Sequence, residues 1–196
     1  MASSRDMQPV RSLALTCLMI AVVQACSVGH GQGELTGSVQ VAGCLATTRY
    51  DLGPSAFFAQ TVEKLLRIRV QRGGDLEVRS DGIAILVEDS SAVKNEYLGE
   101  SISLAPDTEP RIDVSVYLNE SCAAGRDNTP VVLSAVSGTI RFDAIYAPKV
   151  NSGEVEISAV LENVRFVDPR NTERSAELSG NFDFLYVRGS PAQRFP

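Results

Sequence analysis

From residue 34 onward the chain alternates apolar and polar side chains with a period of two, interrupted at short intervals by glycine, proline, asparagine and aspartate. Such alternation, with β-branched residues inside the runs and turn residues between them, marks half-buried β-strands. Residues 34–42 (ELTGSVQVA) form the first run and lead to Cys44. In 65–72, Leu66, Ile68 and Val70 fall on one face while Arg67, Arg69 and Gln71 fall on the other. After Gly73-Gly74 come strands at 76–78 and 82–87, separated by the turn signal Ser80-Asp81-Gly82. Both parities of 82–87 (GIAILV) are apolar, which predicts a central strand covered on both sides. Residues 111–119 alternate most clearly. Ile112, Val114, Val116 and Leu118 point to the core, Arg111, Asp113, Ser115 and Asn119 point to water, and the run ends near Cys122.

The last third predicts an antiparallel meander of strands at 131–136, 138–147, 154–167 and 176–187. Asn151-Ser152-Gly153 and Asp168-Pro169 supply the turns. In the third of these strands the apolar parity passes from Val155, Ile157, Ala159 and Leu161 to Val164 and Phe166, which predicts a β-bulge near Glu162-Asn163. The fourth aligns Ala176, Leu178, Phe182, Phe184 and Tyr186 as a core seam, with Gly180 where a neighbouring strand approaches closely. Residues 55–66 (SAFFAQTVEKLL) alternate poorly and follow Gly53-Pro54 with a serine suited to cap a helix, so one short helix is expected there. Residues 90–110 read as loops around a short edge strand at 101–104, a region where binding is easily placed. The fold expected is all-β, an antiparallel β-sandwich with one short helix, with a lipocalin-like β-barrel as the alternative.

The first 25 residues follow a different pattern. Arg5 and Arg11 precede an apolar stretch at 12–23 (SLALTCLMIAVV), which suits a secretory signal but falls short of the roughly 20 residues of a spanning helix. Val23-Gln24-Ala25-Cys26 then places an apolar residue three positions before a cysteine and a small residue directly before it. This segment resembles the lipobox of bacterial lipoproteins. The chain as a whole resembles predicted bacterial lipoproteins in which a lipobox precedes a compact β domain with a cysteine pair, the motif-level match covering residues 1–26. The resemblance implies a diacylglycerol thioether on Cys26, an acyl chain on its new amino group and, with Ser27 in place of aspartate, an outer-membrane address in the cell envelope. Gln24 is bulkier than the usual occupant of its position, which leaves an ordinary signal cut near Ala25, and a free periplasmic or secreted protein, as the alternative. The organisation expected is therefore a signal peptide at 1–25, a lipidated cysteine and flexible tether at 26–33, and a single domain at 34–196.

Loss of residues 1–25 removes Arg5, Arg11 and Asp6 from 18 basic and 24 acidic side chains, leaving 16 and 23, a formal charge of −7. An acidic domain lacks the basic footprint of a nucleic-acid binder and is repelled by anionic lipid headgroups, so membrane contact is expected through the acyl chains. Of the four cysteines, Cys17 leaves with the signal and Cys26 takes the lipid, so Cys44 and Cys122 remain as the disulfide pair of an oxidising compartment.

Candidate chemistry is sparse. The single histidine, His30, lies in the tether. No nucleophile elbow, phosphate-cradling glycine loop or zinc-spaced cysteine cluster occurs. Glu154, Glu156, Glu177 and Asp183 alternate with apolar residues and are expected to face water. Asp75, Glu77 and Asp81 surround two turns without the spacing of a calcium loop, and a solvated turn is expected. Asn119-Glu120-Ser121 fits a glycosylation sequon, which matters only in a eukaryotic chain. The carboxyl end, with Phe195, is expected to act as a strap under the sandwich. No cofactor or metal is called for. The function expected is a non-catalytic interaction or structural domain of the envelope, with an envelope protein as partner. The alternatives are a binding module for a small apolar ligand or sugar, and a carboxylate-only hydrolase.

Overall fold

The computed structural model of the chain describes residues 31–45, 48–73, 80–122, 131–150 and 156–186. In chain order its elements are β1 (Gly31–Gln40), β2 (Arg49–Asp51), β3 (Ala56–Val62), β4 (Leu65–Gln71), β5 (Gly82–Val87), α1 (Ser90–Glu96), β6 (Ser101–Ser103), β7 (Ile112–Leu118), β8 (Val131–Ala144), β9 (Glu156–Asp168) and β10 (Asn171–Leu185). Nine strands form one continuous sheet in the order β2-β1-β10-β9-β8-β7-β5-β4-β3, and β6 pairs with β8 off this path. The fold is all-β with one short helix. Two-layer packing arises within this single sheet, which curls into a half-barrel. Phe57 of β3, at one edge, packs on Phe184 of β10 with ring centroids 5.5 Å apart.

Alternation explains most of the core. Leu66, Ile68 and Val70 of β4, Ile83, Ile85 and Val87 of β5, and Val114, Val116 and Leu118 of β7 are all buried in one hydrophobic cluster. Phe57, Phe142, Phe166 and Phe182 are fully buried there, and burying an aromatic side chain of this size contributes about 1.5–3 kcal/mol. The core seam of β10 is present, with Ala176, Leu178, Phe182 and Phe184 buried and Tyr186 partly so. At Gly180 a Cβ would meet the Glu34 carbonyl oxygen and stand 2.7 Å from Leu35 Cα, so only glycine lets β1 lie this close to β10. The bulge in β9 also occurs where parity switches. Leu178 pairs with Val164 and Gly180 with Leu161, leaving Glu162 and Asn163 opposite the single Ser179, and Asn163 has φ 50°.

Several expectations are corrected. Residues 55–66 form no helix: β3 and β4 are a hairpin, with Val62 opposite Leu65 and Glu63 at φ 56° in the turn. The pairing β4 needs on its outer side outweighs the serine cap. The helix lies instead at Ser90–Glu96, where Asp89 Oδ1 accepts hydrogen bonds from the Ser91 and Ala92 amides. The strands foreseen at 131–136 and 138–147 are one strand, β8, kept continuous through Gly138 at φ 104°. β1 begins at Gly31, so the last three residues of the expected tether pair with Phe184, Asp183 and Phe182 of β10. In β5 the face of Ala84 and Leu86 is only half-covered. The strand foreseen at 76–78 lies outside the described residues.

The two ends of the half-barrel differ. At one end, α1 is tied to the β3–β4 turn through Ser90 N–H and Oγ, both donating to the Lys64 carbonyl at 2.9 Å. It is tied to β8 through Gly99 N–H donating to the Phe142 carbonyl at 2.8 Å. At the other end, the segments that follow β1, β4 and β7 meet around Asp81.

Candidate functional site

The turn that begins β5 carries Asp81, which is fully buried. Its Oδ1 accepts hydrogen bonds from the Glu120 and Ser121 amides at 2.9 and 3.0 Å. Its Oδ2 accepts from Tyr50 Oη at 3.2 Å and from Ser121 Oγ. One carboxylate thus holds the β2 strand and the segment after β7 against the start of β5. The expectation of a solvated turn at Asp81 is overturned: burial is tolerated because four donors replace the lost water. Arg72 completes the assembly. Its guanidinium donates to the carbonyls of Asp51 at 2.6 Å and Leu52 at 3.1 Å, and it pairs with Glu120 at 3.3 Å.

On the outer face of the sheet beside this cluster, Gln71 and Tyr117 are buried side by side, with Tyr117 Oη donating to Gln71 Oε1 at 3.4 Å. The Tyr117 ring crosses Gly82, whose hydrogen is all the space allows. Burial, reinforced by the Asp81 carboxylate, pushes the Tyr50 phenol far above its ordinary value. Burial likewise pushes up Tyr117, and it lowers the neighbouring Arg69 guanidinium below its usual range. Both phenols are therefore neutral donors at physiological pH. The cluster holds the fold together with its acceptors filled by the protein's own groups.

Cys44 and Cys122 close the same end. They are joined by a disulfide with Cα atoms 4.3 Å apart and lie 78 positions apart in sequence, linking the turn after β1 to the segment after β7. Asn119, expected to face water, is buried, and Ser121 is engaged by Asp81. The sequon is thus folded into the interior edge. Glu156 and Glu177 are exposed as expected, whereas Asp183 is half-buried. Cys26, His30, Asp75, Glu77, Glu154 and Phe195 lie outside the described residues. Among the described residues, no group of three or more His, Cys, Asp or Glu side chains is placed to hold a metal ion.

Two further grooves are found on the surface of the described residues. The larger, about 290 Å³, opens where the sheet forks. β7 stays paired with β5 as far as Ile112, but its pairing with β8 stops at Ser115 opposite Ser134. The 104–108 segment overhangs the fork, anchored by Leu104 N–H donating to the Gly138 carbonyl at 2.9 Å. Arg111 and Asp113, 3.5 Å apart, lie at its mouth. The smaller groove, about 220 Å³, runs over Ser38, Gln40, Arg165, Ser175 and Glu177 on the outer face of β1, β10 and β9.

Asp81 was readable only as a turn residue because its partners Tyr50 and Ser121 lie 31 and 40 positions away. The usable signal was its place directly before a strand apolar on both faces, where a carboxylate needs internal donors. Searches of protein-family models, of curated proteins and of solved structures find no match to this chain.

Proposed function

We propose that the chain is a lipid-anchored protein of the bacterial cell envelope whose domain acts by non-catalytic interaction or as a structural element, with an envelope protein as partner. The observation that carries this reading is the lipobox-like Val23-Gln24-Ala25-Cys26 placed immediately before the folded sheet. β1 begins at Gly31, and five residue steps from Cys26 span at most about 18 Å. An acylated Cys26 therefore holds the domain against the membrane surface. The buried polar cluster supports the non-catalytic part, since Asp81 spends its acceptors on the fold.

The test is the intact mass of the mature protein from membranes of its native host, read before and after reduction and alkylation. A mass raised by two or three acyl chains, with Cys44 and Cys122 alkylated only after reduction, supports the reading. An unlipidated chain starting near Cys26 overturns the anchor. The fork groove favours a second reading, a site for a small polar ligand such as a sugar, because its 290 Å³ falls near the lower bound of ligand clefts and its mouth carries Arg111 and Asp113. Chemical-shift changes at Ser115 and Ser134 on sugar titration are the expected result if that reading holds.

A further inference from the structure

The sheet register places the amino-terminal end of the domain. Gly31 pairs with Phe184, Phe184 pairs with Ile157, and the next residue, Ser158, pairs with Ala144 at the end of β8. There the Ile145 carbonyl accepts from Lys94 Nζ of α1 at 3.5 Å. The chain therefore enters the domain at the α1 end, opposite the disulfide and the Asp81 cluster.

That same end collects the exposed apolar surface. Of the five large apolar side chains exposed among the described residues, Val62, Leu98, Val150 and Leu185 lie there, and only Val132 lies at the other end. Val62 is in the β3–β4 turn region, Leu98 follows α1, Val150 follows β8 and Leu185 ends β10. Their neighbours are interlocked: Tyr186 stacks on Tyr146 at 4.0 Å, and Thr61 Oγ1 lies 3.4 Å from Tyr186 Oη. All three lysines of the chain, Lys64, Lys94 and Lys149, sit at this end too. Isolated exposed apolar residues are ordinary. A concentration of them with tyrosines and long-stemmed lysines is the composition that suits a bilayer interface, where apolar stems enter and ammonium heads stay at headgroup level.

We infer that the α1 end is a lipid-contacting surface that seats the domain on a phospholipid bilayer beside its acyl anchor, with Val62, Leu98, Val150 and Leu185 entering the interfacial zone. This rests on the lipidation of Cys26 proposed above. The recognition is apolar. Glu63, Asp89, Glu96 and Glu100 share this end with the lysines, and Lys64 is bound to Asp89 at 2.9 Å. Zwitterionic lipid is therefore sufficient, and moderate salt leaves the seating unchanged.

The chain contains no tryptophan, so a single introduced indole reports its own surroundings. Full-length Leu98→Trp and Val132→Trp proteins, purified from host membranes and weighed for acylation, are placed in phosphatidylcholine vesicles with or without lipids brominated near the headgroup. Bromolipid should quench the indole of Leu98→Trp several-fold more than that of Val132→Trp, with a blue-shifted emission. Val62→Trp repeats the measurement if the Leu98 variant does not fold. An acylated protein whose two indoles are quenched equally leaves the anchor standing and overturns the seating. An unacylated mass overturns the anchor, and the seating with it. An indole at position 98 shielded from aqueous acrylamide but untouched by bromolipid means that a second copy or another protein covers this end, which also overturns the proposal.

Discussion

Asp81 shows how one side chain can decide the conformation of three separate segments. Replacing it with alanine strands the Tyr50 hydroxyl, the Ser121 hydroxyl and two amides, and each unpartnered buried group costs about 1–3 kcal/mol where water cannot reach it. Asp81→Ala should therefore destabilise by at least about 3 kcal/mol. Tyr50→Phe removes one donor and leaves three, and should cost about 1 kcal/mol. Urea midpoints of the two variants check this, and equal losses would contradict the hub. The two phenols add a pH dependence. A group whose folded value is raised contributes stability that is complete below its unfolded value and lost as pH rises toward the folded one. For Tyr50 and Tyr117, both raised by burial, stability should hold below about pH 10, the ordinary phenol value, and fall above it. The Tyr50→Phe, Tyr117→Phe double variant should flatten that decline in a urea series from neutral to alkaline pH. None of this was legible in Ser80-Asp81-Gly82, because local sequence reports a turn and not which distant donors fold over it.

At the scale of elements, strands were readable wherever one face meets the core and the other meets water, as in β4 and β7, and the β9 bulge was readable because it shifts that parity. The β3–β4 hairpin was not, because Ala56, Phe57, Phe58 and Ala59 are all apolar, a run that hides the alternation of burial along β3. The helix was missed for the opposite reason: α1 is seven residues long and commits only Ser90 and Val93 to the interior, too few to show a helical period. Its signal was the capping residue. Asp89 accepts from two amides of the first turn and pairs with Lys64 at 2.9 Å. The Lys64 ammonium, with the Ala92 amide, holds the Asp89 carboxyl below the usual carboxylate range. A lowered value means stability present above the unfolded value, about pH 4, and lost as pH falls through the folded one. Asp89→Ala should cost about 1 kcal/mol at neutral pH, shrink below pH 4, and speed amide exchange at Val93 and Tyr97 while leaving β10 unchanged. Uniform acceleration throughout the sheet would show instead that α1 is inseparable from the barrel.

At the scale of the molecule, a sheet that curls without closing needs something to hold its ends, and the two ends solve this differently. The α1 end relies on the helix and on the Tyr146–Tyr186 contact, while Phe57 against Phe184 packs one edge of the sheet onto β10. The other end uses a covalent bond. In sheet order β1 and β7 are separated by β10, β9 and β8, so Cys44–Cys122 spans the curl and fixes its opening. The pair was expected once Cys17 was assigned to the signal and Cys26 to the lipid, whereas the single curled sheet was not legible, since alternation reports two faces without reporting how strands follow one another. A cross-link over 78 positions contributes roughly 4 kcal/mol through the unfolded chain. Cys122 directly follows Ser121, which Asp81 also holds, so the disulfide and the carboxylate fasten one segment by two routes. Their effects should not add. Once Asp81→Ala has freed the segment, the disulfide alone keeps it near β1, and reduction should then cost more than it does in the parent protein. A thermodynamic cycle of parent and Asp81→Ala proteins, each oxidised and reduced, should give a coupling of about 1 kcal/mol or more. Strict additivity would show that the two fastenings act on independent parts of the barrel.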